Sequence, residues 1–165
     1  MKLINKNIWD LHGEFDVVVT NNIGWDPRTY RNNMGAGTTL EASIRYPHLP
    51  CWYGAECASR VTSDDGVQDV PVLYREVEGL YFFPVKPLLS IHDPEMSWNQ
   101  KADIKLIRKG LYELADLADN AQKPIAMTLP GAGNGGLPPD HVLSCVQAVL
   151  GNRDDIIVCD RQLSV

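Results

Sequence analysis

No stretch of the 165-residue sequence approaches the roughly 18 uninterrupted apolar residues that a membrane span needs. Residues 1–6 (MKLINK) hold neither a long apolar run nor a small-residue cleavage site, so no secretory signal is expected there. Cysteine is sparse, and Cys51, Cys57, Cys145 and Cys159 show no CxxC spacing. Three of the four sit among apolar neighbours, which predicts reduced, packed thiols and a cytoplasmic protein with no membrane partner. Positive charge is scarce too. A formal net charge of -6 and a pI near 5.1 exclude nucleic-acid binding through a broad basic surface. They leave room for a small anionic ligand, because backbone N–H groups and helix N-termini can hold a diphosphate without Lys or Arg. There is no internal repeat, low-complexity tract or interdomain linker, and 44% hydrophobic with 22% charged residues is ordinary globular composition. One domain over residues 1–165 follows.

What is present alternates. Leu3-Ile4 opens a short strand, and Phe15 to Thr20 is a β-branched run of the kind that fills a sheet interior. Gly37 to Tyr46 reads as a helix stopped by Pro47. Leu80 to Val85 is apolar on both alternating faces, so helices should cover both sides of the sheet. From Lys101 to Asp119, Ile104, Ile107, Leu111, Leu114 and Ala118 recur every three or four residues, which predicts an amphipathic helix. Pro124 to Leu129 is a strand; a helix follows from Pro138-Pro139 to Gly151, and Ile156 to Cys159 is a last strand. Leu49 to Gly79 carries the weakest pattern and reads as a short helix with an irregular loop. The alternation predicts an α/β chain, a three-layer α/β/α sandwich on a mixed central sheet.

Two segments have the order strand, glycine-rich turn, helix. One runs from Asn21-Asn22 through a loop to Asn33-Met34-Gly35-Ala36-Gly37. The other is Pro130-Gly131-Ala132-Gly133-Asn134-Gly135-Gly136-Leu137. Glycines there permit positive φ and let a ligand approach the main chain closely enough to meet successive N–H groups. A single such loop is explained by turn chemistry; two in one small sheet protein point to a phosphate-bearing ligand at the carboxyl ends of the strands. Neither loop carries the GK[ST] of a P-loop, nor GxGxxG with an acid about twenty residues on.

These segments resemble the two ligand loops of macrodomains. Phe82-Phe83-Pro84-Val85-Lys86, then Trp98 and a helix carrying Gly110-Leu111, are similar to one branch of that family. That branch holds the DarG-type antitoxins, which remove ADP-ribose from DNA, and related hydrolases that remove it from acidic side chains. The resemblance implies a macrodomain fold and binding of ADP-ribose or an ADP-ribosylated substrate, DNA included. By position, Gly35, Ala36 and Gly37, with Met34 beside them, would wrap one phosphate. Pro130 to Gly136, that is Pro130, Gly131, Ala132, Gly133, Asn134, Gly135 and Gly136, would wrap the other phosphate and the distal ribose, which Asn22 would also contact. The family's early acid that reads adenine is replaced by Asn7. The acid-side-chain hydrolases place an aspartate where this chain has Gly135, whereas the DarG-like branch has glycine there and relies on its lysine.

Lys86 is accordingly the candidate catalytic residue. At the end of an apolar strand it would be partly desolvated, which lowers a lysine's pKa. Neutral, it can attack the ribose C1″ as an amine; charged, it can stabilise a departing group. The plain alternative is a lysine snorkelling at a strand end. His92-Asp93 is a further candidate general base, and Trp98 a candidate stacking surface or a loop anchor. Residues 24–33, with Trp25, Arg28, Tyr30 and Arg31, form a loop long enough to cover a ligand. Asp64-Asp65 and Glu76 to Glu78 read as solvated charge. His12, His48, His92 and His141 lack metal-ligand spacing, so neither metal nor cofactor is expected. The functional expectation is an ADP-ribosyl hydrolase using Lys86. Its rivals are a non-catalytic binding module for ADP-ribose or a related nucleotide, and a phosphatase acting on ADP-ribose 1″-phosphate. Were DNA the substrate, the acidic charge predicts few phosphate contacts and weak salt dependence.

Overall fold

A computed structural model describes residues 1–61 and 68–160; the paired Asp64-Asp65 lies outside the described residues. Six strands form one sheet: β1 (Lys2–Ile4), β2 (Asp16–Asn22), β3 (Leu73–Arg75), β4 (Leu80–Lys86), β5 (Ile125–Met127) and β6 (Ile156–Cys159). Their spatial order is β1-β6-β5-β2-β4-β3. Every neighbouring pair is parallel except β3 with β4, so the sheet is mixed and antiparallel at one edge only.

The double apolar face of β4 decides the layering. Leu80 and Phe82 join Val17 and Val19 of β2 beneath α1 (Gly37–Arg45) and α2 (Leu49–Ser59). Tyr81, Phe83 and Val85 turn to the other side, against α3 (Ile104–Ala118) and α4 (Pro139–Leu150). On that second face the periodic stripe of α3 is buried as expected: Ile107, Leu111 and Leu114 are fully enclosed. The Phe83 ring lies directly on Gly110, where a methyl would come within 2.6 Å of Phe83 Cζ.

The described parts of the segment from Leu49 to Gly79 carry more regular structure than its pattern suggested. It opens with the eleven-residue α2, and it supplies the edge strand β3. Pro50 sits in the first turn of α2, where a missing N–H is tolerated. Gly54 lets the loop before α1 press on the helix, since a Cβ there would collide with the Tyr30 carbonyl. Cys57, Cys145 and Cys159 are buried and Cys51 is exposed, all as free thiols. Among the described residues no helix is long and apolar enough to cross a membrane.

Of the acids read as solvated, Glu76 is exposed but Glu78 is not. Glu78 lies before β4, only 4% exposed, and accepts two hydrogen bonds from Arg75 (both 2.8 Å); His48 Nε2 lies 2.8 Å from its Oε1. Arg75 in turn stacks over Trp52, 4.5 Å from its ring centre. A buried carboxylate is tolerated because it is fully partnered. Arg75 first, and His48 after it, hold the Glu78 carboxyl down at about 2. Its folded value lies below its unfolded one, so this stabilisation is present above the ordinary glutamate range and is lost as pH falls towards 2. It amounts to about 3 kcal/mol at most, less whatever solvent screens through the exposed His48 side. Glu78→Gln should therefore flatten the fall in urea midpoint between about pH 5 and pH 2 and lower the midpoint at neutral pH. An unchanged acid limb in the variant would refute this account.

Candidate functional site

Four parallel strands, β6, β5, β2 and β4, end at one edge of the sheet, and a cleft of about 1090 Å³ opens there. That is the crevice where open α/β sheets take ligands, and the volume suits a nucleotide-sized molecule. Both glycine-rich loops line it: Gly35, Ala36 and Gly37 after β2, and Gly131, Ala132, Gly133, Asn134, Gly135 and Gly136 after β5. Asn22 and Lys86, paired across the ends of β2 and β4, line it as well.

The loops offer donors in different ways. Ala36 caps α1 in extended conformation with no side-chain cap bond, so the first-turn N–H groups of this helix are not covered by a side chain. Such a terminus favours an anion. The start of α4 does not: Pro138 and Pro139 have no N–H, and Asp140 occupies its first turn. In this second loop the donors are those of the loop itself. Its shape is fixed by Leu137 N–H to Gly131 O (3.0 Å), Gly136 N–H to Gly133 O (3.1 Å) and Ala102 N–H to Gly135 O (2.9 Å). The N–H groups of Gly133, Asn134 and Gly135 are given to no acceptor among the described residues. Gly131 adopts φ +78°, a conformation that favours glycine, and both Gly131 and Gly135 are packed too tightly for a Cβ.

Lys86 is partly buried, and its Nζ donates to the Trp98 carbonyl at 2.8 Å. Desolvation lowers its pKa from the ordinary lysine value. The carbonyl is held in place by the 3₁₀ turn Pro94–Asn99. Buried Ser97 donates to Pro87 O (2.8 Å) and accepts from Ile23 N–H (3.2 Å), locking that turn to the ends of β2 and β4. Trp98 itself is 44% exposed and lines the cleft, so it is available as a surface and is not a core anchor.

Several expected residues are placed elsewhere. Met34 is buried in the core under α1 and faces a smaller neighbouring cavity instead of the cleft. Pro130 is buried and outside the cleft walls. Asn22 reaches the cleft, but most of its amide is committed: Nδ2 donates to Asn33 O (2.7 Å), and Oδ1 accepts from Gly24 N–H and Asn32 Nδ2 (both 3.0 Å). Its chief work is to fold the 24–33 loop back on itself. Of that loop only Asn33 lines the cleft, and the loop does not cover it. Trp25 and Arg31 line the smaller cavity, while Arg28 and Tyr30 are exposed and face neither. His92 and Asp93 are exposed ahead of the 3₁₀ turn and do not reach the cleft.

Sequence reasoning missed the far wall, made by Lys6, Trp9, Cys159 and Asp160. Asp160 directly follows β6, so the rule that ligands meet the carboxyl ends of parallel strands could have found it.

No family model matches the sequence, and no curated protein matches it. Solved structures do match. The fold is similar to the macrodomain of Thermus aquaticus DarG (20% identity, TM-score 0.63, 96% of this chain and 97% of that one). It is also similar to the macrodomain of Mycobacterium tuberculosis DarG (19% identity, TM-score 0.67, 96% and 94%). This is a macrodomain fold. A third similar structure is Thermosipho africanus DarTG in complex with ADP-ribose (16% identity, TM-score 0.65), where the match covers 99% of this chain and 42% of that one. The macrodomain sheet thus places both glycine loops, Asn22 and Lys86 around one cleft, while Met34 and Pro130 belong to its supporting core.

Proposed function

We propose that this macrodomain binds ADP-ribose, free or conjugated, and removes it from a conjugate with Lys86 as the catalytic group. The observation that carries the reading is the convergence of two donor-rich glycine loops and a desolvated lysine on one cleft. Loop N–H groups and the start of α1 hold the diphosphate; the distal ribose then lies towards Lys86 at the β4 end. As a neutral amine, Lys86 forms a C1″–Nζ bond while the bond to the conjugated group breaks and that group takes up a proton. Water then hydrolyses the new linkage and returns the lysine. As an ammonium, Lys86 would instead stabilise the departing group while water attacks C1″. The DarTG structure with ADP-ribose bound lends the ligand its plausibility.

A non-catalytic binding module is the second reading. It is favoured by the Trp98 carbonyl, which already occupies one Lys86 donor, and by the lack of any acid at Gly135. Calorimetric titration with ADP-ribose, AMP and NAD tests what the two readings share. Both expect ADP-ribose to bind more tightly than either comparator. No heat at millimolar ADP-ribose would end both.

A further inference from the structure

The smaller cavity beside the cleft has a volume of about 490 Å³ and shares Asn33, Gly35 and Trp98 with it. The two hollows thus meet at Trp98, the residue whose carbonyl holds Lys86 Nζ. With the diphosphate at the glycine loops and the distal ribose towards Lys86, an orientation that rests on the reading above, ADP-ribose itself stays in the cleft. What continues past C1″ is the conjugated group, and the smaller cavity opens beside it.

Hydrogen bonds within the chain build its walls. Residues 24–33 make one wall and the 3₁₀ turn Pro94–Asn99 another. Trp25 N–H donates to Pro94 O (3.3 Å) and joins the two. The loop is closed on itself by Asp26 N–H to Arg31 O (2.9 Å) and Tyr30 N–H to Asp26 O (2.7 Å). Fully buried Asn32 donates from Nδ2 to Gly24 O (2.8 Å) and to Asn22 O (3.0 Å). Tyr30 sits at φ +60°, a left-handed conformation that persists in a residue with a side chain only where the surroundings enforce it. A loop held this firmly gives the cavity a set shape, and a preorganised wall favours a specific occupant.

The lining indicates which. Trp25, Leu40, Met96 and Trp98 present apolar surface, and Leu40 and Trp98 are 41% and 44% exposed. The polar rim is mixed. Arg31 offers guanidinium donors and Glu95 offers acceptors, and neither side chain has a partner among the described residues. Asp26 is engaged within the loop, accepting from Arg28 N–H (2.8 Å) and lying 3.7 Å from Arg28 Nε. A polypeptide brings N–H donors and C=O acceptors together, so it can meet Arg31 and Glu95 at once while an apolar side chain fills the hydrophobic part. A nucleic-acid strand brings phosphates, which only accept. It would set them against Glu95 in a chain whose net charge is already -6.

We infer that the smaller cavity is a subsite for the conjugated group, and that this group is a polypeptide whose apolar residue next to the modified one rests against Trp98, Leu40 and Met96. These residues set specificity and take no part in bond breaking.

The test is calorimetric titration of the full chain carrying Lys86→Ala, in which conjugates should persist. Its ligands are free ADP-ribose, a short peptide ADP-ribosylated on one side chain with leucines on either side, the same peptide with aspartates there, and an ADP-ribosylated single-stranded oligonucleotide. The leucine peptide should bind about ten- to a hundredfold more tightly than free ADP-ribose, the equivalent of burying one such side chain, and the aspartate peptide and oligonucleotide should stay within about threefold of ADP-ribose. Adding Leu40→Ala together with Met96→Ala should bring the leucine peptide to within about threefold of free ADP-ribose and leave ADP-ribose itself unchanged. Adding Arg31→Ala instead, at an exposed position, should weaken the leucine peptide alone by about fivefold, the equivalent of one hydrogen bond. Unfolding midpoints close to the parent's would show these variants folded. Equal binding of the leucine and aspartate peptides, or a leucine preference unmoved by either change, overturns the inference. An oligonucleotide that binds more tightly than the leucine peptide, and loses that advantage with Leu40→Ala and Met96→Ala, overturns the polypeptide assignment. Failure of free ADP-ribose to bind would instead overturn the ADP-ribose reading, and the subsite with it.

Discussion

Replacing Lys86 by alanine is expected to slow release of ADP-ribose from a conjugate by about a hundred- to a thousandfold while changing the Kd for ADP-ribose by less than about threefold. The asymmetry follows from position. In the proposed binding mode the diphosphate is held by backbone N–H groups of loops that the substitution does not touch, so ground-state binding should be preserved. Lys86 lines the cleft at the end of β4, its Nζ held by the Trp98 carbonyl at 2.8 Å, and in the proposed orientation it meets the reacting end of the ligand. The pH profile tells its two chemical roles apart. Desolvation lowers the lysine's pKa, so the neutral amine becomes available below the ordinary lysine range. If Lys86 attacks C1″, the rate climbs with pH and levels off as the amine loses its proton. If the ammonium stabilises the departing group, the rate is level at low pH and falls through the same region. Lys86→Arg sharpens the distinction, because arginine keeps the charge but supplies no neutral amine. Turnover by Lys86→Ala equal to wild type would remove the catalytic assignment and leave the binding module.

The sequence showed most of this cleft's frame and little of its detail, and the difference has physical causes. β2, β4 and β6 are buried on both faces and read as continuous apolar runs; α3 has one apolar stripe and reads as a helix. The glycine loops stood out because four glycines in seven residues exceed what a turn requires. By contrast α2 carries Pro50 and Gly54, two helix-disfavouring residues that serve tertiary contacts, and β3 is too short and exposed to show alternation. Glu78 looked like surface charge because His48, thirty residues away, meets it only in the fold, and its bonds to Arg75, three residues before it, leave no pattern in the sequence. Met34 and Pro130 sat inside the loop segments, but no pattern told which way their side chains turn. Asp160 was invisible for the opposite reason: a lone acid after a strand has no motif, only a location.

Substitution of Gly135 by aspartate should abolish detectable binding of ADP-ribose and lower the unfolding midpoint by several degrees, consistent with about 1–3 kcal/mol of overpacking. A Cβ at this position would strike the Gly131 carbonyl oxygen and lie 2.6 Å from Ala102 Cβ. Neither neighbour can yield cheaply. Gly131 is backbone in a left-handed turn with φ +78°, and Ala102 is held by its own N–H to Gly135 O. Gly133 is the control within the same loop. A methyl there meets nothing within 4 Å, so Gly133→Ala should leave the midpoint within about 2 °C of wild type. Yet Gly133 lines the cleft, and a methyl set among the donors should weaken ADP-ribose binding by at least about tenfold, the worth of one lost hydrogen bond. Wild-type affinity in Gly133→Ala would show that the loop does not hold the ligand; wild-type affinity and stability in Gly135→Asp would show that the loop is not packed as described. The pair also bears on chemistry. A carboxylate cannot be placed at position 135 without rebuilding the loop proposed to bind the phosphates, which disfavours an acid-based route through that position. In the proposed reading, catalysis in the cleft is carried by Lys86.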